Sequence, residues 1–176
     1  MKKIVAIAGS NSKKSINKKL ASYAAQKTAN AEAIVADLND FNLPLYSIDT
    51  EQEGGIPSAA HDLNNLIASA DGIVVSLAEH NGSYAAAFKS AYDWVSRIDM
   101  KVWKDKPMLL MATSPGPRGG ASVLATAKAG FPYAGAQIVA DFSLPSFFDN
   151  FSEAGISNSE LSAKLDLAIV AFEKAI

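Results

Sequence analysis

An unbroken apolar run, Ile4-Val5-Ala6-Ile7-Ala8, passes into the polar stretch Gly9-Ser10-Asn11-Ser12-Lys13-Lys14-Ser15-Ile16-Asn17 and then into a helix-like segment. An apolar run without period-2 alternation is the pattern of a central parallel strand buried on both faces. A polar loop leading from such a strand into a helix suits a phosphate. Unpaired backbone N–H groups and the positive end of the helix dipole face the anion, and Ser and Asn side chains add donors. Spacing excludes two phosphate-binding modes. A dinucleotide fingerprint requires Gly-x-Gly-x-x-Gly, whereas positions 11 and 14 are Asn and Lys. A nucleoside-triphosphate loop ends Gly-Lys-Ser/Thr; Lys14-Ser15 matches, but Lys13 stands where the glycine belongs. Two readings remain: a monophosphate held by hydroxyls, or a polar connection in which Ser15 simply caps a helix.

Five apolar segments alternate with five helix-like ones. The strands are expected over Lys3–Ala8, Ala33–Leu38, Gly72–Ser76, Pro107–Ala112 and Gln137–Asp141. The helices are expected over Asn17–Thr28, Ser58–Ser69, Ser83–Arg97, Ala121–Ala129 and Ser159–Ala175, the last with a capping box of Ser157 and Glu160. This alternation implies one α/β domain over residues 1–176. The expected architecture is a flavodoxin-like, doubly wound, five-stranded parallel sheet of order 2-1-3-4-5 with helices on both faces. Its switch point lies between strands 1 and 3, so chemistry should gather after Ala8, Ser76 and Ala112.

Composition narrows the function classes. A chain of 176 residues with 49% hydrophobic and 19% charged side chains is globular rather than disordered. A net charge of −2 argues against nucleic-acid or anionic-membrane partners. The absence of cysteine removes disulfides, thiolate metal sites and a thiol nucleophile, and fits a cytoplasmic location. No signal peptide or membrane span is expected, because no apolar run approaches the roughly 18 residues a span requires. The two histidines, His61 and His80, lie far apart without clustered carboxylates, so no metal site is expected.

Two more loops carry candidate groups. After the third strand come Glu79, His80, Asn81, Gly82 and Ser83; Asn81 and Ser83 suit helix caps or ligand donors, and His80 suits a planar ring. After the fourth come Thr113-Ser114-Pro115-Gly116-Pro117-Arg118-Gly119-Gly120, with few side chains to keep a flat aromatic system from the backbone. No nucleophile elbow or Ser-His-Asp set occurs at the strand ends. Trp94, Trp103 and the aromatic run Phe147-Phe148-Asp149-Asn150-Phe151 are expected to pack rather than bind.

Together, Gly9-Ser10 with Ser15-x-Asn17, Leu43-Pro44-Leu45-Tyr46, Glu79-His80-Asn81-Gly82-Ser83, Lys89 with Asp93-Trp94-Val95-Ser96-Arg97, Lys106-Pro107 and Ser114-Pro115-Gly116 resemble the NAD(P)H-dependent FMN reductases, a group that includes quinone, chromate and azo-dye reductases. The resemblance runs through nearly the whole chain in order. It implies FMN as cofactor, with its phosphate at Gly9, Ser10, Ser12, Ser15 and Asn17. Glu79, His80, Asn81, Gly82 and Ser83 would then lie along the ribityl chain and ring edge, and Ser114 and Gly116 beside the ring. It further implies NADPH or NADH as donor, a quinone-like acceptor, and a homodimer or dimer of dimers through the helix ending at Arg97. No side chain need act as a general acid or base, since the flavin carries the redox chemistry. The competing expectation is an electron-transfer flavodoxin without NAD(P)H activity.

The resemblance departs at three positions. Ser12 stands where the family carries Arg, which removes a bidentate cation from the phosphate. His80 replaces a Tyr, giving a smaller stacking surface. Pro117 stiffens the loop after Gly116.

Overall fold

The structure, a computed structural model, describes residues 1–176. Strand β1 (Lys2–Gly9) leads through the polar loop into α1 (Ile16–Lys27) and back into β2 (Ala31–Ala36). After a 3-10 turn at Leu38–Asp40 come α2 (Ile48–Gly54), α3 (Ser58–Ala68) and β3 (Gly72–Leu77). A short hairpin of β4 (Glu79–His80) and β5 (Ser83–Tyr84) precedes α4 (Ala86–Ile98) and β6 (Lys106–Thr113). The chain continues through α5 (Ala121–Gly130), β7 (Ala136–Leu144) and α6 (Phe147–Asn150). A second hairpin, β8 (Phe151–Ser152) and β9 (Gly155–Ile156), leads into α7 (Ser159–Glu173).

The main sheet runs β2-β1-β3-β6-β7 with every pairing parallel, which is the expected order 2-1-3-4-5 of a flavodoxin-like sheet. Alternation along β1 feeds two cores. Val5 and Ile7 join the core beneath α3, α4 and α5, whereas Ile4 and Ala6 join the one beneath α1 and α7. Both sets are almost wholly buried, which is why the run shows no polar alternation. The last residue of the strand is Gly9 because β3 passes close by: a Cβ there would lie 2.9 Å from Leu77 Cδ2 and 3.1 Å from Leu77 Cα.

Several local expectations are corrected. The fourth helix begins at Ala86 rather than Ser83, because Asn81 and Gly82 both adopt positive φ (51° and 79°) and close the β4–β5 hairpin. Asn-Gly is the pair that two-residue turns of this kind favour, and neither Asn81 nor Ser83 caps α4. The second strand ends at Ala36, since Asp37 caps the following turn by accepting from Asn39 N. Helix α2 was not expected; Ser47 Oγ accepts from Thr50 N at its start. Helix α7 is capped by Asn158, whose Oδ1 accepts from Leu161 N at 3.0 Å, and Ser157 instead donates to Asp149 O. The fifth strand runs on to Leu144, three residues past its expected end at Asp141.

The tryptophans pack as expected. Trp94 is fully buried, and its Nε1 donates to Pro44 O at 2.7 Å. Ser90 Oγ donates to the same carbonyl and accepts from Tyr46 N, so the Leu43–Tyr46 segment is strapped to α4. No helix is long and apolar enough to cross a membrane.

Candidate functional site

The β1–α1 loop is shaped by its own hydroxyls. Ser12 N donates to Ser10 Oγ at 3.1 Å, Ser15 N to Ser12 O at 3.0 Å, and Lys18 N to Ser15 Oγ at 3.1 Å. Ser15 is thus the N-cap of α1, as the second of the two readings of this loop has it. The amides of Lys13 and Lys14 have no main-chain acceptor, and the first-turn amides of Ile16 and Asn17 have none within the helix. Ser10 and Ser15 accept through these bonds and keep their hydroxyl hydrogens for a ligand. The result is an anion-binding end of a helix, open on the side of the sheet's carboxyl edge.

Asn17 holds this loop to the sheet. It is 2% exposed; its Oδ1 accepts from Ser76 Oγ at 2.7 Å and Thr113 N at 3.1 Å, and its Nδ2 donates to Thr113 O at 3.1 Å. One amide hydrogen is left over. Its principal work is therefore to pin the first turn of α1 between the ends of β3 and β6.

On the opposite side Glu79 does similar work. One carboxylate oxygen accepts from Ser122 N at 2.9 Å and Val123 N at 3.0 Å, at the N-terminus of α5. The carboxylate satisfies two orphan amides and meets the positive end of that helix. It thereby fixes the β4–β5 hairpin against the Ser114–Gly120 loop. Tyr84 anchors the hairpin's other arm by stacking on Phe131, and burial pushes its phenol up to about 12. His80, Asn81, Gly82 and Ser83 are exposed at the hairpin tip.

The Ser114–Gly116 segment is tied from behind. Ser146 N donates to Gly116 O at 2.9 Å and Phe147 N to Ser114 O at 3.1 Å. Ser146 itself holds a left-handed conformation (φ 44°) to make this turn. Phe147 is buried, while Phe148 is 71% exposed and reaches the same cleft. Above Gly116 the space is open: a Cβ there would have only Ser114 Oγ within 4.0 Å.

These loops enclose a cleft of about 230 Å³. Of the candidate residues it gathers Ser10, Ser12, Ser15, Asn17, Glu79, His80 and Ser114. Gly9 lies beneath as a packing residue, and Asn81, Gly82, Ser83 and Gly116 stand outside the lining. Lys14, Ile16, Ala78, Thr113, Pro115 and Phe148 join it, none of them assigned to the cofactor by the resemblance. Phe148, expected to pack with its aromatic run, instead stands exposed in the cleft. Its delivery depends on a Ser146 turn that residue types do not signal. Glu79 is engaged by the amides that open α5, and Lys14 is the cation at the hydroxyl end. Hydroxyls, free amides and one lysine at one end, with a nearly bare backbone wall at the other, fit a phosphorylated molecule carrying a flat ring, such as FMN.

Comparison with known proteins identifies the family. Residues 2–149 match the NADPH-dependent FMN reductase family. A quinone reductase of Escherichia coli is 37% identical over 55% of this chain and 49% of its own length. A 2-hydroxy-1,4-benzoquinone reductase from a Burkholderia species is 35% identical over 68% of this chain and 64% of its own length. The match thus spans about half the length of the former and under two thirds of the latter. Among solved structures, a flavoenzyme NAD(P)H:acceptor oxidoreductase from Paracoccus denitrificans superposes with a TM-score of 0.74, at 26% identity over 99% of both chains. An apo NADH:FMN oxidoreductase, at 23% identity and a TM-score of 0.75, shares the fold over 100% of this chain and 90% of its own. With the family match running through all five strands of the main sheet and every loop of the cleft, the chain belongs to the NADPH-dependent FMN reductase family.

Proposed function

We propose that residues 1–176 act as a single FMN-binding domain that transfers electrons from NADPH or NADH, through bound FMN, to a quinone-like acceptor. The observation that carries this reading is the cleft itself. A hydroxyl-rich helix start and a side-chain-poor wall face each other across the switch point of the sheet. Bound FMN would supply the hydride and electron chemistry.

The chain's own residues bind and orient. Ser10, Ser12 and Ser15 offer hydroxyls, and Lys13, Lys14 and Ile16 offer amides, to the phosphate. Glu79 and Asn17 hold the two walls at a fixed separation. His80 and Phe148 flank the ring end, and the Ser114–Gly116 backbone is the candidate for stabilising negative charge on the reduced ring. The relatives' names support the quinone-like acceptor. A cytoplasmic location and assembly as a homodimer or dimer of dimers through α4 belong to the same proposal.

Anaerobic titration of the FMN-loaded protein tests it. NADPH or NADH should bleach the flavin absorbance, and a quinone should restore it. If neither nicotinamide bleaches the band, the reductase reading fails and an electron-transfer flavoprotein takes its place.

A further inference from the structure

Asn81-Gly82 is the only Asn-Gly pair in the chain, and it forms the tip of the β4–β5 hairpin with both residues exposed and at positive φ. A glycine after an asparagine leaves the peptide between them bare, so Gly82 N can approach the Asn81 carboxamide with no side chain in the way. Neither group is held. Asn81 caps no helix and makes no side-chain hydrogen bond, and Gly82 N has no main-chain acceptor. A Cβ on Gly82 would meet no atom within 4 Å.

Other exposed asparagines differ in the amide that follows them. Ser12 N, after Asn11, donates to Ser10 Oγ at 3.1 Å; Asp40 N, after Asn39, donates to Asp37 O at 3.0 Å; Leu43 N, after Asn42, donates to Phe41 O at 2.8 Å. The hairpin itself pairs only Glu79 with Tyr84 and His80 with Ser83. So short a ladder has little stability of its own. Its arms are held from outside, by Glu79 on the first turn of α5 and by Tyr84 on Phe131. The tip between them can leave its turn conformation while the arms stay anchored.

We propose that Asn81 is a site of spontaneous deamidation and that the modified protein holds FMN less tightly, the second half resting on the FMN reading above. Gly82 N attacks Asn81 Cγ. The new C–N bond closes a succinimide as the Cγ–Nδ2 bond breaks, and ammonia leaves with the proton of the Gly82 amide. Water, the only co-reactant, then opens the ring. Opening at Cγ yields aspartate with the main chain restored; opening at the main-chain carbonyl yields isoaspartate, in which the chain runs through the side-chain carbon. Both products place a carboxylate next to His80, which lines the cleft. Isoaspartate also lengthens the main chain of the turn, which can then no longer keep His80 opposite Ser83. The disturbed arm carries Glu79, whose carboxylate fixes the facing wall of the cleft.

Intact mass, peptide mapping and FMN titration test it. The unaltered, FMN-free protein kept in warm, mildly alkaline buffer should gain one mass unit, the difference between a hydroxyl and an amino group. Mapping should place the gain at Asn81, in part as isoaspartate, and this needs no variant. The rate should rise with pH, because the deprotonated Gly82 amide is the nucleophile. Asn81→Gln, which closes such a ring far more slowly, should lose the gain. The purified isoaspartate form should bind FMN about tenfold more weakly than fresh protein. No gain in mass, or a gain mapped to other asparagines, overturns the site. A gain at Asn81 with unchanged FMN affinity overturns its link to the cofactor. If fresh protein binds no FMN, the FMN reading falls and takes that link with it, while the mass measurement still decides the site.

Discussion

Asn17 Oδ1 accepts the Ser76 hydroxyl at 2.7 Å, joining the first turn of α1 to the end of β3 across a distance of 59 residues in sequence. The same oxygen accepts Thr113 N, and Nδ2 donates to Thr113 O, so β6 is held by the same carboxamide. One buried side chain therefore sets the spacing of three loops at the switch point. A residue that the resemblance assigns to the phosphate is spent mainly on the frame that places the other ligands.

Replacing Asn17 with Ala is expected to strand three buried polar groups and to destabilise the fold by about 3 kcal/mol. Denaturant unfolding measures this on the FMN-free protein. Unchanged stability would show that solvent or a neighbouring group satisfies Ser76 and Thr113 once the carboxamide is gone.

Glu79→Ala removes the cap of α5, at an expected cost of about 1 kcal/mol. It also frees the β4–β5 hairpin from the facing wall, so FMN should dissociate more readily. Glu79→Gln keeps an acceptor oxygen and should recover part of both effects. Flavin fluorescence on dilution, read beside thermal unfolding, separates the two; FMN affinity equal across all three proteins would refute the positioning role.

Ser12→Arg restores a bidentate cation where the loop now offers only a hydroxyl. Ser12 is exposed, so the longer side chain has room. Tighter FMN binding by about tenfold is expected, from one charge-assisted pair of hydrogen bonds. Equilibrium titration of the FMN-free protein checks it, and an unchanged affinity would mean that the lysines and amides already saturate the phosphate.

Asp37 carries a pH dependence. Burial raises its carboxyl, but the bonds from Lys18 and Asn39 outweigh burial and hold it below the ordinary value of 3.8. A depressed folded-state value contributes stability above the unfolded-state value and loses it as pH falls through the folded one. Asp37→Asn should therefore be less stable than the unaltered protein at about pH 7, with the gap closing in the acid range below about pH 4. Thermal unfolding at both ends of that window reads the difference, and a gap of constant size would exclude the ion pair as its source.

The order of the main strands and the positions of β1, β3 and β6 were readable because a parallel strand buried on both faces is apolar nearly throughout, and these three are. Ser15 as a cap was readable for a similarly local reason: its hydroxyl serves an amide three residues away. Errors arose where a local signal had a competitor. Ser83 looked like a helix start, yet Asn81-Gly82 favours a hairpin turn; Ser157 looked like a cap, yet Asn158 takes the place one residue on.

What the sequence determined by itself was the sheet, its order and the three loops that meet at the switch point, because periodicity and connection handedness act within a few residues or across one βα unit. What only the tertiary structure decided was how each polar side chain is spent. Glu79 caps a helix 42 residues downstream in the chain at Ala121, Asn17 binds two distant strand ends, and Phe148 is carried to the cleft by a strained turn at Ser146. A carboxylate or carboxamide reads the same in sequence whether it faces a ligand or a neighbouring backbone. The partner that claims it is fixed only when the chain packs and its buried polar groups must be satisfied.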